Sequence, residues 1–270
     1  MHFTSETSAD GVSERRFVHD GVPGVLWHPA GSALGGRPLV LLGHGGGQHK
    51  LGPRDRARRC VARYGWAAVA VDAPGHGERE RTAHDERFAT EIGELLAAGR
   101  PISAWVARHT AALAERAVPE WRAVLDALED LGRTGTGLDG TGGGLGPVGY
   151  WGLSLGTVIG IPLAAVEPRI GAAVFGLAGH ASLAEPARRV AVPVEFVLQW
   201  DDELQPREAA LALYGALGSR QKTLHANPGG HLAVPEFECA ASERFLLGHL
   251  GRTAPGTAPG GCPGAGPEPA

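Results

Sequence analysis

The stretch Val-Gly-Tyr-Trp-Gly-Leu-Ser-Leu-Gly, residues 148–156, places a serine between two glycines, directly after a short apolar run. A helical pattern follows at once and extends over residues 155–166. The pattern G-x-S-x-G at this junction is typical of a sharp strand-to-helix turn that lifts the serine hydroxyl out of a sheet. The residues two before and two after the serine must be small, because they pack against each other under the turn. We therefore interpret Ser154 as a candidate nucleophile.

Two neighbouring features can stabilise negative charge beside Ser154. The backbone N–H of Leu155 lies at a helix N-terminus, where the helix dipole favours an anion. The run Gly43-His44-Gly45-Gly46-Gly47 ends the first strongly apolar strand and allows a close approach of backbone to substrate. We predict an oxyanion hole from the N–H of Leu155 and that of Gly45 or Gly46, with His44 in a packing and hydrogen-bonding role.

Further apolar runs on both sides of this stretch alternate with helical patterns. Residues 38–42, 67–71, 170–175 and 192–199 are short and continuously apolar, as is typical of strands buried on both faces. Strands that alternate with helices predict a mostly parallel central sheet with helices on both faces, in the α/β class. One such domain over residues 15–250 accommodates the whole pattern.

The ends and the middle of the chain have a different composition. Residues 1–14 are polar and are expected to be disordered, and an entry hairpin is expected around Asp20-Gly21. Residues 78–117 predict a small helical insertion or lid, followed by a separate helix over 119–131 that begins at a proline. The tail 251–270 repeats Thr-Ala-Pro-Gly and is expected to be disordered.

Composition excludes several classes of protein. The formal net charge of -4 provides no basic field for nucleic acid or an anionic membrane. The three cysteines, Cys60, Cys239 and Cys262, lack C-x-x-C spacing and predict neither a disulfide framework nor a metal site. The N-terminus has no apolar signal segment, so a cytoplasmic location is expected. The oligomeric state is left open by these features.

A serine nucleophile requires a base, and the base requires a third group that fixes its tautomer. Asp201 and Asp202 follow the apolar run 192–199, at the edge of the sheet where sites form, and the register of the next helix favours Asp202. His231 lies in a glycine-rich loop after the last strand and is the predicted base. His225 is interpreted as structural.

Three side chains are candidates for a substrate pocket. Trp105 lies in the helical insertion, Tyr150 precedes the serine turn, and His180 follows the strand that ends near Phe175. The two aromatic residues are equally compatible with a core position, and Trp105 is the strongest of the pocket candidates.

These motifs together resemble the α/β-hydrolase superfamily, close to its dienelactone-hydrolase-like and small serine esterase branches. The matching residues are Gly43 to Gly46, Asp72 to Gly77, Gly152 to Gly156, Asp202, and Gly230 with His231. The resemblance implies a Ser-His-Asp triad, acyl transfer through an acyl-enzyme, and no cofactor or metal. Dienelactone hydrolases use a cysteine where this chain has Ser154, so a carboxylic ester is the expected substrate.

Two alternatives remain at this stage. The same triad serves peptidases and thioesterases, because fold and triad do not fix the leaving group. The second alternative is not an enzyme but a non-catalytic ligand-binding protein with the same fold. The presence of all three triad residues argues against it. Dehalogenases and epoxide hydrolases are disfavoured because they are expected to carry an aspartate at the position of Ser154.

Overall fold

A single sheet runs through the protein, which a computed structural model describes for residues 1–100, 103–134 and 143–251. The strands in these ranges are β1 (His2–Ala9), β2 (Val12–His19), β3 (Val22–Pro29), β4 (Leu39–Gly43), β5 (Ala67–Val71), β6 (Val148–Gly152), β7 (Ile170–Gly176), β8 (Val194–Gln199) and β9 (Lys222–Asn227). Their order across the sheet is β1-β2-β3-β5-β4-β6-β7-β8-β9. The first three strands and the contact of β3 with β5 are antiparallel, and the remaining contacts are parallel.

Helices cover both faces of this sheet. They are α1 (Arg54–Tyr64), α2 (Ala83–Ala97), α3 (Ser103–Thr134), α4 (Leu155–Ala164), α5 (Ala184–Arg189), α6 (Arg207–Ala216) and α7 (Glu236–Leu250). Along β4, Leu39 and Leu41 belong to the core that includes α3 and α4, whereas Val40 and Leu42 belong to the core beneath α1 and α7. Because successive strand residues point to opposite faces, an unbroken apolar strand supplies both cores. The predicted α/β class is confirmed.

The N-terminus corrects one prediction. Residues 1–14 are not disordered: β1 pairs with β2 in antiparallel register, with Ser5 opposite Arg16. The turn between them is Asp10-Gly11, where both residues have positive φ (52° and 74°), as at the predicted turn Asp20-Gly21. A two-residue Asp-Gly turn of this kind is a strong hairpin signal. The polar composition of β1 is compatible with a strand because most of its side chains are exposed at the sheet edge.

The second correction concerns the helix predicted over 119–131. The structure contains one continuous helix, α3, with Pro119 in its interior. An apolar stripe at helical spacing continues through the proline and is buried against the core at Leu113, Ala117, Trp121 and Leu128. A proline inside a helix removes one hydrogen bond and costs about 3 kcal/mol. Burial of this stripe offsets that cost, so the helix passes from the insertion into the core without a break.

The predicted insertion therefore consists of α2 and the first half of α3. Residues 101–102, between α2 and α3, lie outside the described ranges, and so do residues 135–142 and the predicted disordered tail from 252 onwards. No helix among the described residues combines the length and the apolar character needed to cross a membrane.

Candidate active site

Ser154 occupies the sharp turn between β6 and α4. Its φ and ψ are 57° and -117°, a conformation that non-glycine residues rarely adopt. The backbone holds this strain through the N–H of Ser154, which donates to the carbonyl of Gly176 at 3.0 Å. The serine is consequently fixed at the start of α4, with its side chain partly exposed.

Close backbone packing explains why glycines flank the serine. A Cβ on Gly152 would lie 2.8 Å from the carbonyl carbon of Gly156, and a Cβ on Gly43 would lie 2.9 Å from its Cα. Both distances are shorter than contacts that carbon atoms tolerate. The three glycines bring the ends of β4 and β6 and the start of α4 into direct contact.

Thr157, one turn after the serine, braces the same junction from beneath. Its hydroxyl lies 2.9 Å from the carbonyl of Gly152 and 2.6 Å from that of Gly176, and it accepts the N–H of Gly176 at 2.8 Å. The side chain is fully buried. It therefore satisfies backbone groups that the sharp turn removes from the strand ladder.

The structure brings Ser154, His231 and Asp202 together. The hydroxyl of Ser154 donates to Nε2 of His231 at 3.0 Å. On the other side of the ring, Nδ1–H of His231 donates to Oδ2 of Asp202 at 2.8 Å. The side chains of the histidine and the aspartate are almost completely buried. This arrangement can accept a proton from the hydroxyl and stabilise the charged imidazole.

Hydrogen-bond geometry distinguishes Asp202 from Asp201 as the carboxylate that binds His231. The second carboxylate oxygen of Asp202 accepts the N–H groups of Leu204 and Gln205 at 2.8 and 2.9 Å, which fixes the plane of the carboxylate. Asp201 is exposed and accepts the N–H of Gly229 at 3.1 Å. Of the two aspartates, it is therefore Asp202 that contacts the imidazole of His231.

The loop that carries His231 is held by two residues that sequence reasoning missed. Glu203 accepts the backbone N–H of His231 at 2.9 Å. The amide of Gln199 lies 3.3 Å from the carbonyls of both Pro228 and Gly230. Glu203 directly follows the predicted acid and Gln199 precedes it by three residues, so proximity to Asp202 is the signal that could have identified them.

The glycine-rich loop after β4 lies beside the serine turn, because Gly43 contacts Gly156. The N–H of Gly45 donates weakly to Gln48 at 3.4 Å, and Gly46 is exposed. Leu155 begins α4, so its N–H is among the first amides of a helix, which have no partner within it. The glycine-rich loop and the first residue of α4 thus adjoin the serine turn, and the role of these N–H groups as oxyanion donors stays a prediction.

His44 in this loop is structural, as predicted. Its Nδ1–H donates to the carbonyl of Gly45 at 2.8 Å, and its Nε2 accepts the N–H of Ala73 at 3.0 Å. Burial lowers the pKa of this imidazole to about 4, so it is neutral near pH 7. A neutral ring with both nitrogens occupied links the loops after β4 and β5.

The motif from Asp72 to Gly77 shapes the second of these loops. Asp72 is fully buried and accepts the ammonium of Lys50 at 2.8 Å and the N–H of Glu78 at 3.0 Å. Burial opposes ionisation of Asp72, but these donors hold its pKa below the ordinary value. Gly77 is required because a Cβ there would overlap the carboxylate of Asp72.

The three pocket candidates have different surroundings. Tyr150 is fully buried and donates its hydroxyl to the carbonyl of Gly156 at 2.6 Å, so its predicted pocket role is wrong and it supports the serine turn. His180 is buried in the loop after β7, and its pocket role stays a prediction. Trp105 is 38% exposed and faces a cavity of about 320 Å³ between α2 and α3. The other residues lining that cavity are His84, Arg87, Phe88, Glu91, Arg108 and His109.

Solved structures similar to this chain include esterases and a lipase. A cold-adapted esterase from an Arctic intertidal metagenomic library, bound to PEG, is 36% identical over 93% of this chain and all of that chain, with a TM-score of 0.71. An acetyl xylan esterase from Paenibacillus sp. R4 is 15% identical over 92% of this chain and 88% of its own, with a TM-score of 0.64. A monoacylglycerol lipase from Paleococcus ferrophilus is 16% identical over 80% and 96%, with a TM-score of 0.56.

No protein-family model and no curated protein matches the chain. The two more distant structures share its fold. The Arctic esterase shares more than a third of its residues over its full length. The chain therefore belongs to the esterases of the α/β-hydrolase fold, and it is a hydrolase that acts on esters.

Proposed function

We propose that this enzyme hydrolyses carboxylic esters through a covalent acyl-enzyme on Ser154. The observation that carries the proposal is the continuous path of hydrogen bonds from Ser154 through His231 to Asp202, with distances of 3.0 and 2.8 Å. The strained turn presents the hydroxyl at the N-terminus of α4, where a developing negative charge is stabilised.

In the first half of the reaction, Oγ of Ser154 attacks the carbonyl carbon while its proton passes to Nε2 of His231. The negative charge on the carbonyl oxygen is held by the N–H of Leu155 and that of Gly45 or Gly46. The tetrahedral intermediate collapses with cleavage of the ester C–O bond, and His231 returns the proton to the departing alcohol. Asp202 stabilises the imidazolium throughout.

In the second half, a water molecule takes the place of the alcohol. His231 removes its proton as the oxygen attacks the acyl carbon, and the bond to Oγ of Ser154 then breaks. The carboxylic acid leaves and the serine hydroxyl is restored. Each step uses only side chains and amides of this chain, with water as the second substrate.

A thioesterase or a peptidase could use the same triad, and the family supports esters over both. A non-catalytic ligand-binding role is disfavoured because it would not require the serine, histidine and carboxylate to be hydrogen bonded in sequence. Matched ester, thioester and anilide substrates with one acyl group separate the three reactions, and we expect the ester to have the highest kcat/KM.

The direct test is the Ser154→Ala variant with p-nitrophenyl acetate. We expect kcat to fall by about 10³-fold or more, because the nucleophile is absent while the binding groups remain. Ser242→Ala provides a matched control, since this serine is buried on α7 and donates to Glu195, outside the triad. Wild-type turnover by Ser154→Ala would overturn the proposal.

A further inference from the structure

A second group of ionisable side chains lies on three elements away from the serine turn. Glu195 lies on β8, His225 on β9 and Glu238 on α7, and one ligand atom of each is within 4.8 Å of the others. Among the described residues, this is the group of histidine, cysteine and carboxylate side chains that has metal-binding spacing. The proposed ester hydrolysis makes no use of it.

The imidazole of His225 is held in one orientation. Its Nδ1–H donates to Oε1 of Glu238 at 2.6 Å, and the other oxygen of that carboxylate accepts the amide of Asn227 at 2.8 Å. With the proton on Nδ1, the lone pair of the ring is on Nε2. A carboxylate that binds one nitrogen of a histidine in this way is the usual arrangement when the other nitrogen binds a metal ion.

Nε2 of His225 faces Glu195. One carboxylate oxygen of Glu195 accepts the hydroxyl of Ser242 at 2.5 Å, and the other, Oε2, lies 3.8 Å from Nε2. This gap is too long for a hydrogen bond. Zinc binds imidazole nitrogen and carboxylate oxygen at about 2.0–2.2 Å, so two ligands of one tetrahedral ion lie roughly 3.3–3.6 Å apart. The separation of 3.8 Å between the two atoms is slightly longer than this range, and a small rotation of either side chain lets both atoms bind one cation.

Charge at this position favours the same interpretation. The side chains of Glu195 and Glu238 are only 2% and 4% exposed, and a buried carboxylate without a full counter-charge is costly. A divalent cation supplies the missing positive charge, and the 32% exposure of His225 leaves a route from solvent.

We propose that Nε2 of His225 and Oε2 of Glu195 bind a divalent transition-metal cation such as Zn²⁺, with Glu238 orienting the imidazole and water completing the coordination. Mixed nitrogen and oxygen ligands suit this class of ion. The cation joins β8 to β9, and the loop that carries His231 connects β9 to α7. The cation fixes β8 and β9 to each other next to this loop, so cation binding raises the thermal stability of the protein.

The test is titration of the metal-free full-length protein, without an affinity tag, with ZnCl2 by isothermal calorimetry and thermal melting. We expect saturable binding and a rise in Tm for the wild type. Glu195→Gln and His225→Gln each remove that binding event, and Glu238→Gln weakens it roughly 10-fold to 100-fold. Glu236→Gln makes the same chemical change at an exposed position on α7 and leaves binding unchanged.

X-ray absorption on the zinc-loaded wild type needs no variant. We expect nitrogen and oxygen neighbours at about 2.0–2.2 Å and no sulfur at about 2.3 Å, which distinguishes this site from binding at a cysteine. Activity towards p-nitrophenyl acetate reports whether each variant folds. If only one of Glu195→Gln and His225→Gln folds, that variant is sufficient for comparing zinc binding with the wild type. Absence of saturable binding, wild-type binding by a folded variant, or sulfur coordination overturns the proposal.

Discussion

At the scale of single residues, neighbouring side chains with the same chemistry have different roles. Asp202 and Asp201 are adjacent in sequence, yet only Asp202 is buried against the imidazole of His231. Asp201 accepts one backbone N–H at the surface. A pair of identical substitutions can therefore separate a role in the triad from a general effect of lost negative charge.

We expect Asp202→Asn to lower kcat by about 10³-fold to 10⁴-fold, because an amide in place of the carboxylate favours the wrong imidazole tautomer and no longer stabilises its positive charge. Steady-state kinetics with p-nitrophenyl acetate measures the loss. Asp201→Asn is the matched control and should keep kcat within about 3-fold of the wild type. An equal loss in both variants would remove Asp202 from the triad.

Local patterns predicted some residues of the site and could not predict others. Ser154 has a five-residue pattern, and His231 and Asp202 follow from the ends of strands and the register of a helix. Glu203 and Gln199 lie close to Asp202 in sequence, but no short pattern encodes their contacts with the distant loop that carries His231. Nor does a short pattern encode the group of Glu195, His225 and Glu238, which are separated by 30 and 13 positions in the sequence.

At the scale of secondary structure, β6, the serine turn and α4 act as one unit. The unit depends on contact between glycine backbones, and Tyr150 and Thr157 satisfy the carbonyl groups beneath it. Strain in the φ of Ser154 is tolerated because these contacts hold both flanks.

We expect Gly152→Ala to reduce the free energy of unfolding by about 1–3 kcal/mol, because its Cβ would lie 2.8 Å from Gly156 and from the ring of Tyr150. Turnover should fall as well, since the shift moves Ser154. Urea unfolding and esterase assays measure the two effects. Gly248→Ala lies in open space on α7 and should be neutral or up to about 1 kcal/mol stabilising. An unchanged Gly152→Ala variant would contradict the packing account.

Elements were predictable where one physical signal dominates. The apolar strands β4 to β8 and the helix α1 follow from burial patterns that are visible over a few residues. Strand β1 could not be predicted from its polar side chains, because it is ordered by backbone pairing with β2. The sequence pattern wrongly divides helix α3 at Pro119, because a proline has a local cost within a helix. The tertiary packing of the apolar stripe on both sides of Pro119 is not visible in the local sequence.

At the scale of the whole molecule, buried histidines couple stability to pH. Burial lowers the pKa of His28, His44, His109 and His180 below 6.5. The unfolded chain therefore binds more protons than the folded one between pH 6.5 and about 4. Stability contributed by these neutral rings is present above pH 6.5 and is lost as the pH falls through that range. Glu195, with a raised pKa, acts in the opposite direction.

We expect the free energy of unfolding in urea to decrease between pH 7.5 and pH 4.5, with up to about 3 kcal/mol of the decrease due to His44. His44→Gln should reduce the slope over this range. The control His249→Gln, at the last turn of α7, should leave the slope unchanged. An identical slope for His44→Gln and the wild type would show that the imidazole at position 44 is protonated without cost.

A motif set spread from residue 43 to residue 231 identified the α/β-hydrolase fold, and the similarity to a solved esterase over its full length confirms it. The dienelactone-hydrolase-like branch stays a prediction, since the esterases similar to this chain do not distinguish it.

Labelling with a fluorophosphonate ester, followed by intact-mass and peptide mass spectrometry, shows which residue of the enzyme is the nucleophile. We expect one adduct per chain on Ser154, absent in Ser154→Ala and formed much more slowly in His231→Gln. No adduct on the wild type, an adduct on another residue, or equal labelling of Ser154→Ala would show that Ser154 is not the nucleophile.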